Sequence, residues 1–213
     1  MELKKVSEEK FKKMVEHNKR YLKGGEFTPC WTKNLDLRNM NLKDLDLSGL
    51  VLSGSNFEGS NLEGVFLDNA KIDNCNFKEA NLKDVKMRKT SAKYCNFQKA
   101  CLRNIEIEDA HLENSNFKSA NFMYAEIKYT EMHYTILEEV NFKHCLLRGV
   151  RMIKANIRNS NFENARVFSS DMFKSDLRNS NFKDALLIKI DWHGTNREGC
   201  NFSFVNKVGS KII

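Results

Sequence analysis

The sequence predicts a solenoid built from a short repeat, and three observations carry the prediction. From Leu37 every fifth residue is apolar without a gap, through Leu42, Leu47, Leu52 and Phe57 to Leu177, Phe182, Leu187 and Trp192. The position two residues earlier is held to small or compact side chains, among them Ser55, Ser60, Ala70, Cys75, Ala80, Ser180 and Ala185. Asn56, Asn76, Asn96 and Asn116 precede Phe57, Phe77, Phe97 and Phe117, so the same dipeptide returns every twenty residues. The phenylalanine series then shifts by one five-residue unit, to Phe122, Phe142, Phe162, Phe182 and Phe202. A period of five matches neither the helix nor the strand, which excludes a simple amphipathic element. A fixed short period is instead the mark of stacked repeats, each burying its face on its neighbours.

The repeat block runs from Leu35 to Gly194, 160 residues or 32 units, with no unit out of phase. Units such as Ala80-Asn81-Leu82-Lys83-Asp84 and Ser180-Asn181-Phe182-Lys183-Asp184 resemble the motif of the pentapeptide-repeat family: small, Asn or Asp, Leu or Phe, polar, polar. The resemblance implies an all-β solenoid, a right-handed quadrilateral β-helix with one unit per side and twenty residues per coil. The expected chain has about eight such coils, an N-terminal α-helical cap, and three segments: 1–34, 35–194 and 195–213. At the usual strand spacing of about 4.8 Å, eight coils make a rod about 38 Å long. The two phenylalanine series become internal ladders on adjacent sides.

In chain order, Ser7 is placed to cap a helix whose first turn holds Glu8 and Glu9, favourable beside the positive end of the macrodipole. Phe11, Met14, Val15 and Leu22 fall on or near one stripe, and Gly24-Gly25 supplies a terminator. Such a helix covers the open first coil, whose exposed backbone edge would otherwise invite pairing with other chains. Lys12, Lys13, Lys19, Arg20 and Lys23 also allow a basic helix on a membrane surface, but the apolar stripe is short. Gly49, Gly54, Gly59 and Gly64 end their units, compatible with positive φ at tight corners. Asn41, Asn61 and Asn81, then Asn121 through Asn201, form one potential amide ladder, and the series through Asn116 and Asn156 a second.

The other two sides are less regular. Their outward positions carry Phe66, Tyr94, Leu146, Ile153, Phe168, Phe173, Leu186 and Ile188, while Tyr124, Tyr129 and Tyr134 close three successive units. Single exposed apolar residues are ordinary, whereas a cluster marks a contact site. Ile153, Phe168, Phe173, Leu186 and Ile188, with Tyr134, are therefore the expected protein-contact surface, for an unidentified partner or a second copy. Arg197 is the first polar residue in the large inward phase, so the repeat is expected to end there, leaving Phe204, Val205, Val208, Ile212 and Ile213 to cover the last coil or meet another molecule.

Charge argues against nucleic acid. The net charge is +7, but residues 1–34 hold nine basic and five acidic residues and residues 195–213 three and one, which leaves 23 basic and 22 acidic on the repeat block. That near-neutral shaft has no continuous basic stripe interleaved with aromatics. The absence of a long apolar run and of a secretory leader predicts a cytoplasmic protein with no membrane span. Cys75, Cys95, Cys145 and Cys200 stand in the small inward phase and read as buried thiols; Cys30 and Cys101 lie outside it without a CxxC or histidine spacing. His111, His133 and His193 share a side, but the last two lie three coils apart, too far to share a metal. No nucleophile with base and orienter, and no phosphate loop, is recognisable. The chain is thus expected to be non-catalytic, with no cofactor and no metal.

Two function classes follow: a rigid protein-binding or scaffold module, and a second choice implied by the family resemblance. Some pentapeptide-repeat proteins mimic DNA, bind type II topoisomerase such as DNA gyrase and confer quinolone resistance. Their rods are generally acidic on the relevant surface and several carry loops that interrupt the coils, whereas this shaft is near neutral and has no insertion between Leu35 and Gly194.

Overall fold

The structure, a computed structural model, describes residues 3–24 and 33–209. The side chain of Leu22, Gly25, Cys30, Ile212 and Ile213 lie outside the described residues. The chain winds as a parallel β-solenoid in which every partner along the shaft is twenty residues away. Four bridges recur in each coil, shown by Asp36↔Asn56, Asn41↔Asn61, Asp46↔Phe66 and Val51↔Lys71, and they define a first, second, third and fourth side. The second side is an unbroken ladder of nine rungs from Asn41 to Asn201, eight steps of twenty residues. Pairing continues past Gly194 through Asn181↔Asn201 and a final strand, so the backbone keeps its register after Arg197 breaks the apolar phase.

Each unit works the same way. The large apolar residue points inward, and its amide donates to the next coil, as from Leu37 to the Asn56 carbonyl at 2.8 Å. The small residue also points inward, and its polar hydrogen is satisfied: the hydroxyls of Ser160 and Ser180 donate to the carbonyls of Leu137 and Ile157 at 2.6 and 2.7 Å. Cys75 and Cys95 imitate this, their thiols reaching the carbonyls of Leu52 and Ile72 at 3.2 and 3.0 Å. Burial pushes the Cys75 thiol up to about 12, and Cys95 and Cys145 are also raised by burial. The corner residue that ends each unit has positive φ whether or not it is glycine, including Tyr124, Tyr129 and Tyr134 at 63°, 49° and 57°.

The core of the first and second sides is a column of rings. Phe57, Phe77, Phe97 and Phe117 stack at 4.7–4.9 Å with planes within 5°. Phe117 passes the column to Phe122 at 5.4 Å and 54°, and Phe122, Phe142, Phe162, Phe182 and Phe202 continue it on the second side. Burying such a ring is worth about 1.5–3 kcal/mol, and an aromatic neighbour adds about 0.5–1.5. Outside the rings run the amides: Asn76 donates to Asn56 at 3.0 Å and Asn96 to Asn76 at 3.1 Å, while Asn61, Asn81, Asn181 and Asn201 do the same on the second side.

The third side alone forms a seven-stranded parallel sheet of three-residue strands: β3 (Lys86–Arg88), β4 (Glu106–Glu108), β5 (Glu126–Lys128), β6 (Leu146–Arg148), β7 (Arg166–Phe168), β8 (Leu186–Ile188) and β9 (Asn206–Val208). At the N-terminal end, β1 (Lys4–Lys5) pairs in parallel with β2 (Leu35–Asp36) and leads into α1 (Glu8–Gly24). The Lys10 amide donates to the Ser7 hydroxyl at 3.3 Å, and Phe11 and Val15 are buried in the common core. Glu8 accepts from the Asn41 amide at 2.9 Å, which ties the helix to the first coil. The helix is therefore a cap. Among the described residues no helix is long and apolar enough to cross a membrane.

Candidate protein-contact face

On β6, β7 and β8 the central residues Leu147, Val167 and Leu187 are fully buried, so the flanking residues must face outward. Register sets them in two columns, Leu146↔Arg166↔Leu186 and Arg148↔Phe168↔Ile188. An arginine thus stands beside an apolar residue on two successive rungs. The Arg166 guanidinium lies over the Phe168 ring at 5.4 Å. A shallow depression of about 470 Å³ follows, lined by Leu146, Arg148, Arg166, Phe168, Ile188 and Lys189, with Glu126 and Lys128 at its N-terminal rim.

The adjoining fourth side contributes Ile153 and Phe173. Phe173 stacks on His193 at 5.6 Å and 9°, and the Lys174 ammonium caps the ring at 4.9 Å. Tyr134 stands at the far corner of that side with the Lys154 ammonium 5.4 Å from its ring centre. The six expected contact residues therefore fall into a pair of neighbouring groups, Phe168, Leu186 and Ile188 on the sheet and Ile153 and Phe173 beside it, with Tyr134 at the edge. The first five are half-buried rather than fully exposed, because coils above and below and the basic side chains cover them. The most exposed apolar residues are elsewhere: Phe66, Tyr94, Tyr124, Tyr129, Ile136, Phe204 and Val208, together with Tyr134. Ile136 is the residue that sequence reasoning missed. It occupies an asparagine position of the first-side ladder, and the gap between Asn116 and Asn156 was its signal.

The fourth side also holds an acid and base stack. His111 Nδ1 lies 3.0 Å from Glu113, Lys93 reaches the same carboxylate at 3.3 Å, and Arg151 reaches Glu131 at 3.1 Å. His133 Nε2 is 2.6 Å from Glu131 Oε2 without hydrogen-bond alignment, and His133 Nδ1 and Glu113 Oε2 are buried with no partner. Burial pushes the Glu113 carboxyl up, but a backbone amide, His111 and Lys93 outweigh it and leave the group below its ordinary value. Glutamates separate the imidazoles of His111 and His133. Among the described residues no group of three or more His, Cys, Asp or Glu is placed to hold a metal ion.

Fold and surface define a four-sided parallel β-solenoid with five-residue sides and two chemically distinct faces. Family models for a pentapeptide repeat region and for pentapeptide repeats match residues 51–117 and residues 100–137 and 135–172, so the chain belongs to the pentapeptide-repeat proteins. Among solved structures it is similar to a trypsin-treated variant of QnrB1, described as a plasmid-mediated fluoroquinolone resistance protein, at 21% identity and a TM-score of 0.61, covering 78% of this chain and 90% of that one. The full-length form of QnrB1 gives 18% identity and a TM-score of 0.56, covering 78% and 92%. At these identities the likeness concerns the fold. Among curated proteins none matches the sequence.

Proposed function

We propose that this chain is a non-catalytic protein-binding or scaffold module whose contact surface is the third and fourth sides of the C-terminal half. One observation carries the reading: the outward positions of the sheet, held on β3 to β5 by glutamates and their paired cations, pass on β6 to β8 to Leu146, Phe168, Leu186 and Ile188 beside Arg148 and Arg166. Aromatic and aliphatic side chains at the centre of such a patch are the usual energetic anchors. Ile153, Phe173 and Tyr134 extend the surface around the corner.

Capture of a partner from native host lysate by the wild-type chain and by a Phe168→Ser/Phe173→Ser variant tests the reading, with sedimentation velocity reporting self-association in parallel. The double variant is expected to weaken association by at least about 2 kcal/mol. The fold should survive because both residues lie outside the inward phase. The fold likeness to QnrB1 supports a rival, modulation of a type II topoisomerase such as DNA gyrase. That reading expects protection of gyrase supercoiling from quinolones, sensitive to charge reversal of outward Asp and Glu. Dose-dependent protection unaffected by the phenylalanine changes would put the rival first.

A further inference from the structure

The third side changes its electrostatics along the rod. On β3 to β5 cations meet glutamates: Lys86 lies 3.6 Å from Glu106, Arg88 reaches Glu106 and Glu108 at 3.8 Å, and Lys128 pairs with Glu126. From β6 onward the glutamates are gone while the cations stay. Among the described residues the guanidinium of Arg148 and the ammonium of Lys189 meet no carboxylate, and Arg166 meets only the Phe168 ring. Lys154 and Lys174 on the adjoining side also cover rings rather than acids. The neighbouring Asp171 and Asp191 are already engaged, accepting from the amides of Phe173 and His193 at 2.9 and 2.8 Å.

We propose that the depression on β6 to β8 binds an extended acidic protein segment that alternates carboxylates with apolar side chains. The proposal rests on the protein-binding reading of this face and names its partner's chemistry. Arg148, Arg166 and Lys189 would receive the carboxylates, the two guanidinium groups as flat forks suited to bidentate pairing. Phe168 and Ile188 would receive the apolar side chains between them. Two rungs of the sheet measure about 10 Å along the rod, the reach of about three extended residues. Nucleic acid offers negative charge too but fits less well. Base stacking needs open ring faces, but Phe173 is covered by Lys174 and His193 and Phe168 already carries Arg166 on its ring, while Leu146, Leu186 and Ile188 have nothing to give a phosphate.

Fluorescence anisotropy of the full chain with a labelled random copolymer of glutamate and tyrosine tests this, beside polyglutamate and a single-stranded oligonucleotide. The copolymer should bind most tightly, more weakly as salt is raised. Arg148→Glu with Arg166→Glu should cost at least about tenfold, equivalent to about 1.4 kcal/mol. Lys71→Glu, a charge change on the fourth side of the N-terminal half, should alter binding by less than about twofold. Circular dichroism establishes that each variant is folded. Failure of the copolymer to bind, equal binding by the arginine variant, or tighter binding of the oligonucleotide would overturn the proposal. If a lysate partner is lost from Phe168→Ser/Phe173→Ser yet retained by Arg148→Glu/Arg166→Glu, the contact face stands and its acidic partner falls.

Discussion

The first and second sides and the third and fourth sides are cut from one repeat and one coil, yet they use their outward positions differently. On the first pair, stacked rings inside are matched by stacked amides outside, so inner and outer columns are both committed to holding neighbouring coils together. On the second pair the interior is aliphatic or small, as at Ile107, Leu147 and Ala92, apart from Trp192 at its C-terminal end, and the exterior drifts from ion pairs to apolar residues and unpaired cations. A solenoid needs its register fixed only once around each coil. Backbone pairing holds the coils on every side, but with side-chain amides adding to it on the first and second sides, the outward side chains of the third and fourth sides carry less of that task and vary more.

That contrast is open to attack by substitution. Phe97→Ala opens the ring column and should cost about 3–5 kcal/mol, measured by chemical denaturation, with Ala92 already a thin point in the same coil. A loss below about 1 kcal/mol would mean that Phe97 does not sit in a close-packed interior. Next in size is the amide column. Asn76 donates to Asn56 and accepts from Asn96 and from the Lys78 amide, so Asn76→Ala should cost about 1–3 kcal/mol. Glu126→Ala on the third side removes an exposed ion pair and should change stability by no more than about 0.5–1 kcal/mol. Equal losses at the two positions would erase the distinction between committed and released faces.

The smallest effect concerns the first side, where Asp176 stands in an asparagine position and Arg178 donates to it through Nε and Nη2 at 3.0 and 2.6 Å. The guanidinium holds its carboxyl below the ordinary value of 3.8. The stabilisation is therefore complete above about pH 4 and lost as pH falls through the lowered folded value. Asp176→Asn should flatten part of the acid limb of a stability–pH profile while leaving neutral stability slightly lower; an unchanged limb would show that the pair is fully screened.

Much of the fold could be read from the chain because the period does not depend on context: an apolar residue every fifth position has one inward direction, and the twenty-residue return of Asn-Phe fixed the coil. The face proposed for protein contact was visible in the sequence only as a list of outward residues. Whether Phe168 is open or covered depends on Arg148 and Ile188, each twenty residues away, and on where Arg166 swings, which no local window contains. Corner conformation was similarly hidden. Glycine advertised positive φ from Gly49 to Gly64, but Tyr129 adopts the same region at 49° without announcing it. β1 escaped notice because two lysines show no strand pattern; it exists through pairing with β2.

The constant offset of twenty has a further meaning for the life of the chain. Sheet proteins usually wait on loop closures between distant segments, which makes them slow to form. Here every closure along the shaft has the same short span. Assembly can start at any coil and grow one coil at a time, as synthesis delivers it. The same arithmetic makes length a quantised property: a whole-coil duplication or deletion preserves every surviving pairing and changes the reach of the rod by about 4.8 Å. Any outward patch on such a chain would be carried along the axis in whole-coil steps, its local surroundings unchanged.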